Sequence, residues 1–282
     1  MTRLASLRGL FIVLISPGLA ACSSEPPGSN PSAVPVPAAP ASAAFVSRRG
    51  TDRFPTARGE LVVTLLDRGT VLLGWDDKAI YVDPTSAAVE DASLPRADVI
   101  FITHDHYDAC DAVAVSRLEE PATVVVAPPS VVRKTRVDVV LRNGDARDVA
   151  GLGVVAVPMY NVRRGPGPDL LYHPVGRGDG YVLDLAGTRV YFSGDTECTP
   201  EMKALEGVDI AFVSVGLPYT MGADEAAECL AAMHPRVAFP YRQTRPSPEL
   251  VRALAGSGID VREREGSQRE GVARRLFGAG HW

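Results

Sequence analysis

The 282-residue sequence predicts an α/β domain laid out as a four-layer αβ/βα sandwich, and two observations carry that reading. Residues 61–66, 70–75 and 79–84 are short β-rich runs divided by Asp67-Arg68-Gly69 and Asp76-Asp77-Lys78, the pattern of antiparallel hairpins. The last third changes character: 200–205 reads as helix, 209–215 as strand, 223–233 as helix, 236–240 as strand and 248–254 as helix. A hairpin-rich half followed by alternating strands and helices fits helices packed outside two stacked sheets.

In chain order, Arg3 and Arg8 lie in a short basic start, and an apolar core follows at 10–15. That core is far too short to span a bilayer and reads as a signal peptide. Leu19-Ala20-Ala21-Cys22 resembles a bacterial lipobox, which implies that residues 1–21 are removed and that Cys22 is lipidated. Ser23 and Ser24 carry no inner-membrane retention signal, so the expected address is the outer membrane, facing the periplasm. Residues 22–57 read as a tether, almost all Pro, Ala, Ser and Gly up to about residue 44, a composition that cannot bury a core. At about 3 Å per residue it would hold the folded part tens of ångströms from the lipid, leaving Cys22 as the sole membrane contact.

Residues 58–282 are long enough for one domain with a sizeable core. The formal net charge is −5, and loss of the leader removes two arginines and no acid, moving it to −7. With no basic stripe, nucleic acid is not an expected partner. Beyond Cys22 only Cys110, Cys198 and Cys229 remain, which is no disulfide framework. Cys110 and Cys198 read as small buried core residues, with a mutual disulfide or thiolate ligation as the other reading.

Further elements follow from local pattern. Residues 111–119 have helical spacing, with Asp111 as N-cap. Residues 123–127, 135–141 and 152–157 read as strands, and 180–185 and 188–192 as a pair joined at Ala186-Gly187. Residues 163–179, rich in Gly and Pro and holding His173, read as a long loop.

The chemistry concentrates at residues 99–108. An apolar β-rich run delivers His104, His106 and Asp108 at i, i+2 and i+4, which an extended backbone points to one side. Five histidines occur in the chain and two stand here beside two acids, which favours a metal site.

Thr103-His104-Asp105-His106-Tyr107-Asp108 resembles the His-x-His-x-Asp-His signature of the metallo-β-lactamase-fold hydrolases. Ser193-Gly194-Asp195-Thr196 is similar to that family's Gly-Asp-Thr, and residues 157–161 fall where a third motif is expected. Residues 216–221 and 239–242 resemble later elements of a branch described only as metal-dependent hydrolases. Together these cover about residues 60–245. The resemblance implies a site for two metals, onto which His104, His106, Asp108 and Asp195 map. Three positions depart from it: Ala109, Asn161 and Arg242 stand where imidazoles are expected.

Ala109 and Arg242 both fall on the second ion. What survives is a two-histidine, one-carboxylate set of His104, His106 and Asp195 for one divalent metal, zinc first, iron or manganese otherwise, with a position open to water. Tyr160, Asn161 or His173 would complete or flank it, although His173 alone reads as a solvated loop histidine. Asp108 and Arg242 are the candidate catalytic residues: the guanidinium would fill the space of the second cation, pair with Asp108 and polarise a substrate oxyanion.

Two functions follow from the resemblance. One is an envelope-anchored hydrolase using metal-activated water on an ester, amide or phosphoester bond of a small-molecule or peptide-like substrate. The other is a catalytically inactive fold serving as a binding or scaffold module. Nothing in the sequence specifies a lactam.

Overall fold

The computed structural model describes residues 51–243 and 246–264; the predicted leader, the lipidation site and most of the tether lie outside them. The first sheet holds β1 (Thr51–Thr56), β2 (Gly59–Leu65), β3 (Val71–Trp75), β4 (Lys78–Val82), β5 (Val99–Phe101), β6 (Val124–Ala127) and β7 (Val139–Val140), side by side in chain order. Its first four strands are antiparallel, as the hairpin pattern predicts, and β4 to β7 run parallel. The second sheet holds β8 (Ala146–Val149), β9 (Leu152–Met159), β10 (Gly178–Leu185), β11 (Thr188–Phe192), β12 (Ile210–Ser214), β13 (Val237–Tyr241) and β14 (Asp260–Val261). It follows the same scheme, four antiparallel strands and then parallel ones. No repeat is visible in the residues, yet the two halves share a topology.

Period-two alternation builds the layers. Val71, Leu73, Val99 and Phe101 from the first sheet meet Phe192, Phe212 and Phe239 from the second in the central core. Phe212 stacks between Phe192 and Phe239, with ring centroids 4.6 and 4.8 Å away. The opposite faces carry the helices. Leu72, Ile100 and Val125 pack with Ala114, Val115 and Leu118 of α1 (Ala112–Leu118). Ala211, Val213 and Ala238 pack with Met202 of α2 (Pro200–Lys203), Leu230 and Met233 of α3 (Ala223–Met233) and Leu250 of α4 (Pro248–Ala253). The result is the αβ/βα sandwich.

Asp111 caps α1 as expected, its Oδ1 accepting the Val113 and Ala114 amides. Other boundaries differ. β1 lies inside the stretch read as tether, so the domain extends back at least to Thr51 and buries Phe54. The strand expected over 135–141 shrinks to Val139–Val140, because Arg136 turns its guanidinium onto Asp138, Glu119 and the Thr123 carbonyl. Edge strands β8 and β14 carry too little apolar signal to be read in advance. Cys198 is bonded to Cys229 rather than Cys110, and Cys110 is a buried free thiol.

Candidate metal centre

Polar residues gather where β4, β5, β11 and β13 end. β5 stops at Phe101, so the His-x-His pair sits in the loop beyond it rather than on extended backbone. There the Ala109 and Cys110 amides turn back onto the His106 carbonyl, at 3.1 and 2.7 Å. The His104 and His106 rings close to 4.8 Å, nearer than two alternate residues of a strand would bring them. Gly178 lets β10 press against this loop: a Cβ there would run into Met159 and stand 3.0 Å from the Thr103 carbonyl and 3.1 Å from His104 Cβ.

His173, expected on a solvated loop, is buried and joins the pair. One ligand atom from each of His104, His106 and His173 lies within 4.8 Å of the others. The protons of two rings can be placed. Asn161 Nδ2 donates to the Tyr219 carbonyl at 2.9 Å, so Asn161 Oδ1 faces His173 and accepts from its Nδ1 at 2.7 Å. His173 Nε2 is therefore a bare lone pair. Thr103 Oγ1 donates to Asp83 Oδ2 at 2.7 Å and accepts from His104 Nδ1 at 2.9 Å. His104 Nε2 is left unprotonated, buried and without a hydrogen-bond partner. His106 Nδ1 lies 3.2 Å from His173 Nε2, a contact that needs a proton or a cation between the two atoms.

Burial and neighbouring charges hold all three rings in the neutral form that binds metal. His104 is depressed well below its ordinary value, first by burial and then by Arg242. His173 is pushed down to about 3 by burial and by His106, and His106 is lowered mainly by burial.

Asp195 lies over the cluster. Its Oδ2 is 3.6 Å from His173 Nε2 and 3.9 Å from His104 Nε2, and burial pushes its carboxyl up to about 7 against the pull of Arg242. The two-histidine, one-carboxylate set expected from the sequence is thus enlarged by a third imidazole. Arg242 reaches Asp83 at 2.7 Å and Asp108 at 3.4 Å. Its Nε stands 3.1 Å from Asp195 Oδ1, an ion-pair distance without hydrogen-bond alignment. The Arg242 side chain is 6 % exposed, whereas that of Asp108 is 45 % exposed.

Further contacts tie the imidazole-bearing segments together. Arg177, four residues past His173, grips Asp105 between the two motif histidines through Nε at 3.0 Å and Nη2 at 2.8 Å. Lys134 donates to the Asp105 carbonyl. Buried Glu197 takes the amides of Val162, Arg163 and Arg164 on one oxygen and the Arg164 guanidinium on the other. Tyr160, considered as a ligand, instead donates its hydroxyl to Glu201 at 2.9 Å.

The donor set fits one divalent ion. Zinc-type coordination, with nitrogen about 2 Å from the ion, needs donors about 3.3 Å apart; His106 Nδ1 and His173 Nε2 already stand 3.2 Å apart, and the widest separation in the set, within 4.8 Å, would have to close on the ion. Buried, partnerless His104 Nε2 is the atom that asks for the ion.

Residues 62–242 match the β-lactamase superfamily domain. A UPF0173 metal-dependent hydrolase of Thermococcus onnurineus is 30% identical over 202 residues, 65% of this chain and 88% of the relative. Among solved structures, a metal-dependent hydrolase of Parabacteroides distasonis is 40% identical, with a TM-score of 0.73 over 77% of this chain and 99% of that one. A metallo hydrolase of Ignicoccus hospitalis shares the fold at 20% identity, with a TM-score of 0.60 over 73% and 95% of the two chains.

Proposed function

Since the chain belongs to the β-lactamase superfamily and to its metal-dependent hydrolases, we propose that it is a hydrolase built around one divalent metal, zinc by donor chemistry, held by His104, His106 and His173 with Asp195 beside them. One observation carries this reading: two imidazoles whose outward protons are fixed by Asn161 and Thr103 turn bare nitrogens towards the buried Asp195 carboxylate, 3.6 and 3.9 Å from its Oδ2. Bound there, the ion would acidify a water and polarise the bond to be cleaved.

The protein's own groups do the rest. Asn161 and Thr103 hold the imidazole tautomers and ring orientations, the outer support that metal sites depend on. Asp108 Oδ2 is turned to Arg242 and its carboxylate is open to solvent, so it can take a proton from the attacking water and return it to the leaving group. Esters, amides and phosphoesters of small molecules or short peptides are the substrate classes such a site handles. The Cys198–Cys229 disulfide supports an oxidising compartment, in keeping with an envelope lipoprotein anchored at Cys22 and facing the periplasm. No helix among the described residues is long and apolar enough to cross a membrane.

The test is a metal count by mass spectrometry on protein purified without chelators, followed by a panel of fluorogenic esters, amides and phosphodiesters. His104→Ala and His173→Ala should each lose the ion. Asp108→Asn should keep it and lose about 10²-fold or more in kcat. A fully loaded protein that cleaves none of the panel would favour a binding or scaffold module.

A further inference from the structure

We infer that Arg242 stands in the place of a second metal ion, so that the site is built for one exchangeable cation and one permanent guanidinium. The inference rests on the reading of the histidine cluster as a metal site. Three carboxylates converge on the guanidinium from separate segments: Asp83 after β4, Asp108 after His106 and Asp195 after β11. Asp83 is fully buried and Asp195 nearly so. Buried carboxylates this close to one another repel, and water cannot reach in to screen them; a cation in their midst is what makes the arrangement tolerable.

The backbone is committed to placing that cation. Arg242 has φ +58°, in the left-handed region that side chains disfavour, and its amide is held by the Arg68 carbonyl at 2.5 Å. Asp83, its partner across the sheets, has φ +45°. Gly69 packs along its side chain, where even a Cβ would stand in ordinary van der Waals contact, 3.5 Å from Arg242 Cγ and Cζ. Beside Asp108, fully buried Ala109 offers no competing donor. An ion held by the three acids would need the volume that the guanidinium fills and would meet its charge.

Arg242 is therefore a positioning residue. It turns its nitrogens onto acids rather than towards the solvent side, and it fixes Asp108 and Asp195 whether or not metal is bound. Because a guanidinium does not deprotonate in proteins, this second positive charge cannot be lost to dilution, chelation or pH.

The full chain, purified without chelators and titrated with zinc or with manganese, is expected to bind one ion. Arg242→Ala should bind two, or should melt lower in chelator and regain its melting temperature with added metal; Asp108→Asn in that background should abolish the gain. Arg242→Lys, which keeps the charge, should bind one ion and need no rescue. If Arg242→Ala does not fold, Arg242→His decides in the same way, by a second ion. Two ions in the unaltered chain would overturn the inference, as would variants whose ion count and melting temperature ignore added metal. No ion in the unaltered chain would instead sink the hydrolase reading, and metal rescue of the Arg242 variants would still judge the arginine.

Discussion

Asn161 occupies a position where the resembled pattern has an imidazole, yet the third imidazole exists twelve residues on. His173 reaches the cluster because Asn161 grips it twice, accepting its ring Nδ1 at 2.7 Å and its backbone amide at 2.8 Å. Asn161→Ala should therefore weaken metal binding about 10- to 100-fold while leaving the sheets intact. Competition with a calibrated chelator reads that loss, and an unchanged affinity would mean the ring is oriented by something else. This residue also marks how far the site was legible. His104, His106, Asp108, Asp195 and Arg242 stand close to strand ends, where short motifs announce them. His173 sits in a Gly- and Pro-rich loop with no local signal, and only the fold-back onto Asn161 brings it into the cluster. Asp83 looked like the plain end of a hairpin strand, since its partners Thr103 and Arg242 are 20 and 159 residues away.

The loop carrying His173 is an element without regular structure, and Glu197 latches it. Burial works against the ionised carboxylate, but the Arg163 and Arg164 amides and the Arg164 guanidinium outweigh it and hold the group below its ordinary value of 4.5. A depressed carboxylate stabilises the fold at pH values above its unfolded pKa, and that contribution disappears as the pH falls through the lower folded value. The loop should accordingly unlatch below about pH 4.5, seen as lower protection of the residue 162–164 amides relative to their intrinsic exchange rates at the same pH. Glu197→Gln should show the lower protection at neutral pH already, and much less change with acid. Next to the latch, the Cys198–Cys229 bridge spans 31 residues and joins the segment before α2 to α3. Its removal by Cys198→Ser and Cys229→Ser should lower stability by about 3–4 kcal/mol in a denaturant titration. Regular elements were easier to read than this loop. The strands that alternate and the helix that begins with a capping Asp111 carry their own signal, whereas the loop is specified by charges that meet only after folding.

At the scale of the molecule, β1 closes the domain by tying its two ends together. Its sequence, Thr-Asp-Arg-Phe-Pro-Thr, has one large apolar residue and a proline, so it reads as a continuation of the tether; a proline is nevertheless admissible in an edge strand. Only the fold shows what it does. Phe54 is buried and meets Phe239 of the opposite sheet edge-on, with centroids 6.4 Å apart. Asp52 receives Arg262 at 2.8 Å and Arg264 at 2.6 Å from the far end of the described chain. A chain starting at residue 58, where composition alone would cut, loses Phe54, leaves Arg264 without that carboxylate and turns β2 into an exposed edge. Emptying a phenylalanine-sized site costs about 3–5 kcal/mol by itself, a large part of the 5–15 kcal/mol or so that holds a typical domain together. The unpaired β2 adds a route to association through its free backbone groups. A chain starting at residue 45 should therefore melt like the full chain, and one starting at 58 should melt far lower or aggregate. Thermal unfolding followed by light scattering distinguishes the two, and equal melting of both truncations would show that β1 contributes nothing to the stability of the domain.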